Sequence, residues 1–121
     1  MGFMSFFSST CETRELHIDS GLRTRYYRNS FKQCLAVIEE YSGDAGTEIV
    51  NVNQAHGEIH MVGSGYDSII TITQLTPLET GIDIKINFFT SMGFNRPKKK
   101  VMEMYAYFDH KLNFKGVSLH P

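Results

Sequence analysis

Residues 82–88 alternate without a break, with Ile82, Ile84, Ile86 and Phe88 on one side and Asp83, Lys85 and Asn87 on the other. That period of two is the pattern of a strand with one face buried and one face wet. The segments 48–53, 57–62, 68–75 and 81–89 are rich in β-branched and aromatic residues and are separated by turn residues, most clearly Gly63-Ser64-Gly65 and the stretch 76–81. Together they predict a meander of antiparallel strands covered on one side. Upstream, 15–18 and 22–27 are two short β-prone runs around Asp19-Ser20-Gly21, which predicts an opening hairpin. Two stretches change period. Phe31, Cys34, Leu35, Ile38 and Tyr41 recur at helical spacing, with Asn29 or Ser30 to cap the start and Gly43 to stop the run. Val101, Met104, Tyr105, Phe108 and Leu112 form a second stripe, with Pro97 suited to the first turn and Asn113 or Gly116 to the end.

Two apolar helical stripes and one apolar sheet face must bury each other. The expected fold is therefore an α+β two-layer sandwich, an antiparallel sheet of about five or six strands with two helices on one face, in the order β-β-α-β-β-β-β-α. The chain has 121 residues, enough for one core and too few for two ordinary domains. The expected organisation is a single domain over 13–116, an N-terminal segment 1–12 that is mobile or packs on the sheet, and a C-terminal tail 117–121. This layout resembles several small bacterial families of unknown function and, more distantly, the half-repeat of TATA-box-binding-like folds. The resemblance covers about 22–112 and includes the Gly93-Phe94-Asn95-Arg96 segment before the last helix. It implies the fold and no activity.

Composition changes the picture in two places. Cys11 and Cys34 are too few for a disulfide framework and read as free thiols, Cys34 in the core and Cys11 as the more reactive of the two. The start, MGFMSFF, lacks the basic region of a signal peptide and the Ser or Thr that myristoylation requires at position 6. With no apolar stretch of membrane-spanning length, a cytoplasmic setting is expected. The second change concerns charge. A formal net charge of -1 argues against a globally basic polyanion binder. However, no Lys or Arg occurs between Gln33 and Ile84, where eight carboxylates fall, so the flanks hold all twelve basic residues against the other five carboxylates. Arg23, Arg25 and Arg28 suggest a basic face along the second strand, and Arg96, Lys98, Lys99 and Lys100 cluster where the last helix begins.

Cations at a helix N-terminus oppose its dipole, at a cost of about 0.3–1 kcal/mol each when exposed. A bound anion reverses that penalty, because free N–H groups and lysines then converge on it. Asn95, Arg96, Lys98, Lys99 and Lys100 are accordingly the candidate anion site. The competing reading is a solvated charge run helped by a Lys99–Glu103 pair at i,i+4. Nucleic acid is disfavoured, because Tyr26, Tyr27 and Tyr66, read as wet-face aromatics, lack the spacing of a stacking platform. His56, Glu58 and His60 share a strand face, but two residues of strand span about 6.5–7 Å, which leaves His56 and His60 too far apart to grip one ion. No metal, cofactor or catalytic set is expected, and Gly63-Ser64-Gly65 precedes a strand where a phosphate cradle precedes a helix. The surplus of aromatics and methionines, Met102, Tyr107 and the 3–7 segment among them, points to a partner surface or to a terminus folding back over its own sheet.

The function expected is a small non-enzymatic binding domain that contacts a protein partner or a second copy of itself through the open sheet face or an edge strand. Its basic patch would take an anionic ligand. A carrier or enzyme with a pocket between sheet and helices is the alternative, and a nucleic-acid binder the second.

Overall fold

A computed structural model describes residues 9–90 and 96–117. It has the expected architecture, an antiparallel sheet with two helices packed on one face. The strands are β1 (Thr10–Glu12), β2 (Arg25–Tyr27), β3 (Glu48–Asn53), β4 (Glu58–Gly63), β5 (Tyr66–Thr76), β6 (Glu79–Phe88) and β7 (Phe114–Val117). The helices are α1 (Phe31–Ala45) and α2 (Arg96–Lys111). Among the described residues there are seven strands where five or six were expected, in the order β3-β4-β5-β6-β2-β7, with β1 also paired to β6.

The meander pairs as its turn residues predict, β3 with β4, β4 with β5 and β5 with β6, all antiparallel. Both stripes behave as read. Ile82, Ile84, Ile86 and Phe88 of β6 are buried with Val101, Met104, Tyr105 and Phe108 of α2 and Cys34, Ile38 and Tyr41 of α1. Ser30 caps α1 with a capping box, its hydroxyl accepting from the Gln33 N–H while the Gln33 side chain accepts from the Ser30 N–H. The helix runs through Gly43, contrary to expectation, and ends on Gly46 at φ 69°. Only beyond Ala45 does the backbone need the left-handed region that glycine adopts freely.

The opening hairpin does not form. Residues 15–18 are not a strand, and the first strand is Thr10–Glu12, inside the segment set apart from the domain. β1 and β2 lie end to end along one edge of β6, at Lys85–Asn87 and at Thr80–Ile82. Between them the chain makes an excursion over 13–24, and β6 closes its stem. Thr13 and Thr24 each donate a hydroxyl hydrogen bond of 2.7 Å to Oδ1 of Asp83. The excursion holds a short 3-10 turn, Ser20–Leu22, capped by Asp19. Residues 114–117, expected as loop and tail, form β7 against β2.

Both strand pairs at the sheet's ends are irregular: β3 has a register shift between Ile49 and Asn51, and β2 has one against β7 between Tyr26 and Tyr27. Such bulges discourage further strands from adding. No helix among the described residues is long and apolar enough to cross a membrane.

Candidate anion-binding groove

The two helices run in opposite directions over the sheet, and α1 ends at Ala45. The first turns of α2 are not matched by α1, and a groove of about 380 Å³ opens there, lined by Ser64, Tyr66, Phe88, Arg96, Lys99, Lys100 and Glu103. Its floor is a cross-strand aromatic pair. Tyr66 of β5 stands opposite Phe88 of β6 with ring centroids 5.3 Å apart. The Gly63-Ser64-Gly65 turn forms the wall, and its first glycine is required, because a Cβ there would lie 2.4 Å from the Tyr66 ring.

The cations are arranged over these rings. The Arg96 guanidinium lies 4.6 Å from the Phe88 centroid and Lys100 Nζ 5.3 Å from that of Tyr66. Lys100 also pairs with Glu103 at 2.7 Å, the role expected of Lys99. Lys98 turns the other way and pairs with Asp19 at 2.6 Å, which holds the Asp19 carboxyl below its usual range. Among the described residues no ion pair engages Arg96 or Lys99. Asn95 lies outside the described residues.

Beneath the groove stands Tyr41. Its hydroxyl is buried beside Tyr66 and Glu103, in no hydrogen bond of good geometry among the described residues, and Glu103 pushes its ionisation further up, after burial itself. Burial likewise raises Tyr66. The groove thus combines three cations, one carboxylate and several hydroxyl donors.

The other basic residues are used differently. Arg25 faces the helix layer, paired with Asp109 and stacked on Tyr105 and Phe114 at 4.6 and 5.6 Å. Arg23 donates through Nε to the His17 carbonyl at 2.9 Å. Arg28 is exposed where its N–H bonds the Asn113 carbonyl. Arg25 meets α2 at Asp109, 13 residues or about 20 Å along the helix from Arg96. Arg25 is therefore remote from the helix cluster, whereas Arg23 and Lys98 both engage the 17–19 stretch.

Tyr26, Tyr27 and Tyr66, read as wet-face aromatics, are all buried. For Tyr66 the parity with Ile70 and Ile72 was the available signal, since residues separated by even steps share a strand face. Ser64, Phe88 and Tyr41 were not among the predicted site residues either. Their link to Arg96 is made by the pairing of β5 with β6 and by the point at which α1 ends. Cys11 is not a mobile reactive thiol, because it sits half-buried in β1 with its pKa pushed up to about 11, mainly by burial. Cys34 is buried against the Thr80 hydroxyl. Met102 lies beside Gly21, and Tyr107 donates to Asp44 and packs edge-on to Tyr41, so both surplus apolar residues on α2 serve the fold.

A second depression, of about 320 Å³, lies on the open sheet face among Thr10, Asp67, Ile69, Lys85 and Asn87. Beside it His60 Nε2 lies 3.1 Å from Asp67. No group of three or more His, Cys, Asp or Glu side chains among the described residues is placed to hold a metal ion. The sheet–helix interface, where a ligand pocket was the alternative expectation, is packed with Ile59, Met61, Ile70, Ile84, Met104 and Phe108, each exposed by 1% or less. Comparison of the chain with protein-family models, with curated proteins and with solved structures gives no match.

Proposed function

We propose that the chain is a small non-enzymatic binding domain whose groove between α2 and the β4–β5 turn receives an anionic group of a protein partner. The observation that carries this reading is the pair Arg96 and Lys99, two cations without a carboxylate partner among the described residues, held at the mouth of an aromatic-floored groove. Their position at the start of α2, whose first turn contains no acidic residue, adds the helix dipole to their field. The groove offers one serine and neither histidine nor cysteine, a lining suited to recognition more than to covalent chemistry. The bulge in β3 works against strand addition by a second copy, which favours a different, acidic protein as the partner.

The test is an NMR titration of the full chain with a hexaglutamate peptide. Amide shifts should concentrate at Ser64, Tyr66, Phe88 and 96–103, weaken with added salt, and vanish in the R96E/K99E variant. Shifts spread evenly over the surface, or unchanged in that variant, would overturn the reading.

A further inference from the structure

We infer that the group recognised in this groove is a dianionic phosphate monoester rather than a single carboxylate. The inference rests on the reading of the groove as an anion site and specifies its ligand. Charge is the first argument. Arg96, Lys99 and Lys100 stand against Glu103 alone, so the lining carries a net charge of two positive units. A carboxylate neutralises half of that, while a phosphate monoester at neutral pH carries close to two negative charges and presents three acceptor oxygens.

Donor chemistry is the second argument. Around the groove Ser64 and Tyr66 offer hydroxyls and the three cations offer N–H groups. The one carboxylate, Glu103, is already engaged by Lys100 at 2.7 Å. Beneath them the Tyr41 hydroxyl, on a residue only 4% exposed, lies beside Tyr66 and Glu103. The three acceptor oxygens of a phosphate monoester match this set of donors, which the two of a carboxylate do not. The stacking of Arg96 on Phe88 and of Lys100 on Tyr66 holds the cations in place beforehand, which lowers the ordering cost of binding.

The experiment compares, by calorimetry on the full chain, a phosphoserine peptide, the same peptide with glutamate in place of phosphoserine, free O-phosphoserine, inorganic phosphate and an oligothymidylate. The phosphoserine peptide should bind about tenfold or more tighter than its glutamate counterpart, as a doubly charged acceptor with more oxygens allows. Its affinity should fall between pH 7.5 and 5.5 as the phosphate takes up a proton near pH 6, while that of the glutamate peptide holds. E103Q should tighten phosphoserine binding severalfold. Y66F, which removes a hydroxyl of the lining and keeps the ring, should weaken phosphoserine binding more than binding of the glutamate peptide, whereas a merely structural Tyr66 would leave the ratio of the two unchanged.

Free O-phosphoserine or phosphate binding as tightly as the peptide would assign the monoester to a small molecule, and a large advantage for the peptide would assign it to a phosphorylated protein. Equal affinities of the phosphoserine and glutamate peptides, both abolished in R96E/K99E, would overturn the inference and leave the anion site standing. Failure of both peptides would overturn the two together. Tighter binding of the oligothymidylate, whose phosphodiesters carry one charge each, would overturn the inference in favour of nucleic acid.

Discussion

Replacing Asp109 by alanine removes the one carboxylate that holds Arg25 inside the protein. The Asp109 side chain is 24% exposed and that of Arg25 14%. Asp109 also accepts a 2.6 Å hydrogen bond from Tyr27, a fully buried residue. The substitution strands a cation between the rings of Tyr105 and Phe114 and leaves a buried phenol unpaired, in a site where Arg25 Nε already lacks a partner among the described residues. Breaking a buried pair from one side costs about 3–5 kcal/mol, and the partial exposure of Asp109 places this case near 3. Against the roughly 6–18 kcal/mol expected of a chain this long, that is a sixth to a half of the total. In urea, at an m-value of about 1.5 kcal/mol per molar, the midpoint should fall by about 2 M with m unchanged. D109N keeps an acceptor for Tyr27 and loses only the charge, so it should cost about half as much. The double variant R25M/D109L removes both charges and replaces them with packing but still leaves the Tyr27 hydroxyl unpaired, so it should recover to within about 1–2 kcal/mol of the parent. The reasoning fails if D109A costs less than about 1 kcal/mol, or if R25M/D109L is no more stable than D109A.

Asp83 tests the excursion's clasp by pH. Burial raises its pKa in the folded state above the unfolded value, so its ionisation opposes folding and its contribution is lost as pH rises through the folded pKa. D83N should therefore gain on the parent in urea midpoint between pH 4 and pH 7, whereas a gap that does not change with pH would count against this. D83A leaves the Thr13 and Thr24 hydroxyls without their acceptor and should cost about 1–3 kcal/mol, with hydrogen exchange quickening across 13–24 first. At Gly57, φ is 67° and a Cβ would sit 2.2 Å from the Ile72 carbonyl oxygen, so G57A should cost about 2 kcal/mol or more by urea denaturation. Cys11, with its thiol at about 11, should react with a disulfide reagent at pH 7.5 far more slowly in the folded chain than in urea.

The parts of the fold legible from sequence are those that repeat locally. The stripes of α1, α2 and β6 need only knowledge of the period to be found, and every stripe residue of α2 is buried. The parts misread depend on distant partners. Residues 15–18 carry β-prone side chains, but the edge of β6 they would need is taken by β1 and β2. The stem of their loop is fixed by Asp83, 70 residues from Thr13 and 59 from Thr24. Between Gly43 and Gly46 as helix stops, local composition does not discriminate. What decides is the Ser42–Thr47 exchange, in which the Thr47 N–H bonds the Ser42 carbonyl and the Ser42 hydroxyl bonds the Thr47 carbonyl. β7 is four residues long and exists through its pairing with β2.

The segregation of charge along the chain, acidic in the middle and basic at the flanks, is partly undone when the chain folds. Lys111 meets Glu40 and Lys115 meets Glu79, each joining a flank to the middle. Lys98 and Lys100 find carboxylates within the flanks, at Asp19 and Glu103. After these pairings the basic run at the start of α2 is left with Arg96 and Lys99. Both lie on the side of the helix that faces the aromatic floor and away from the excursion that holds Lys98. A charge run that served only solubility would be indifferent to which of its members found partners. Here pairing removes Lys98 from one side of the helix and leaves the uncommitted cations where α1 stops short, above the Tyr66–Phe88 floor. The coincidence of free charge, aromatic floor and open volume at a single place is what distinguishes this groove from the depression on the open sheet face. There Lys85 shares its surroundings with Asp67, which His60 already engages.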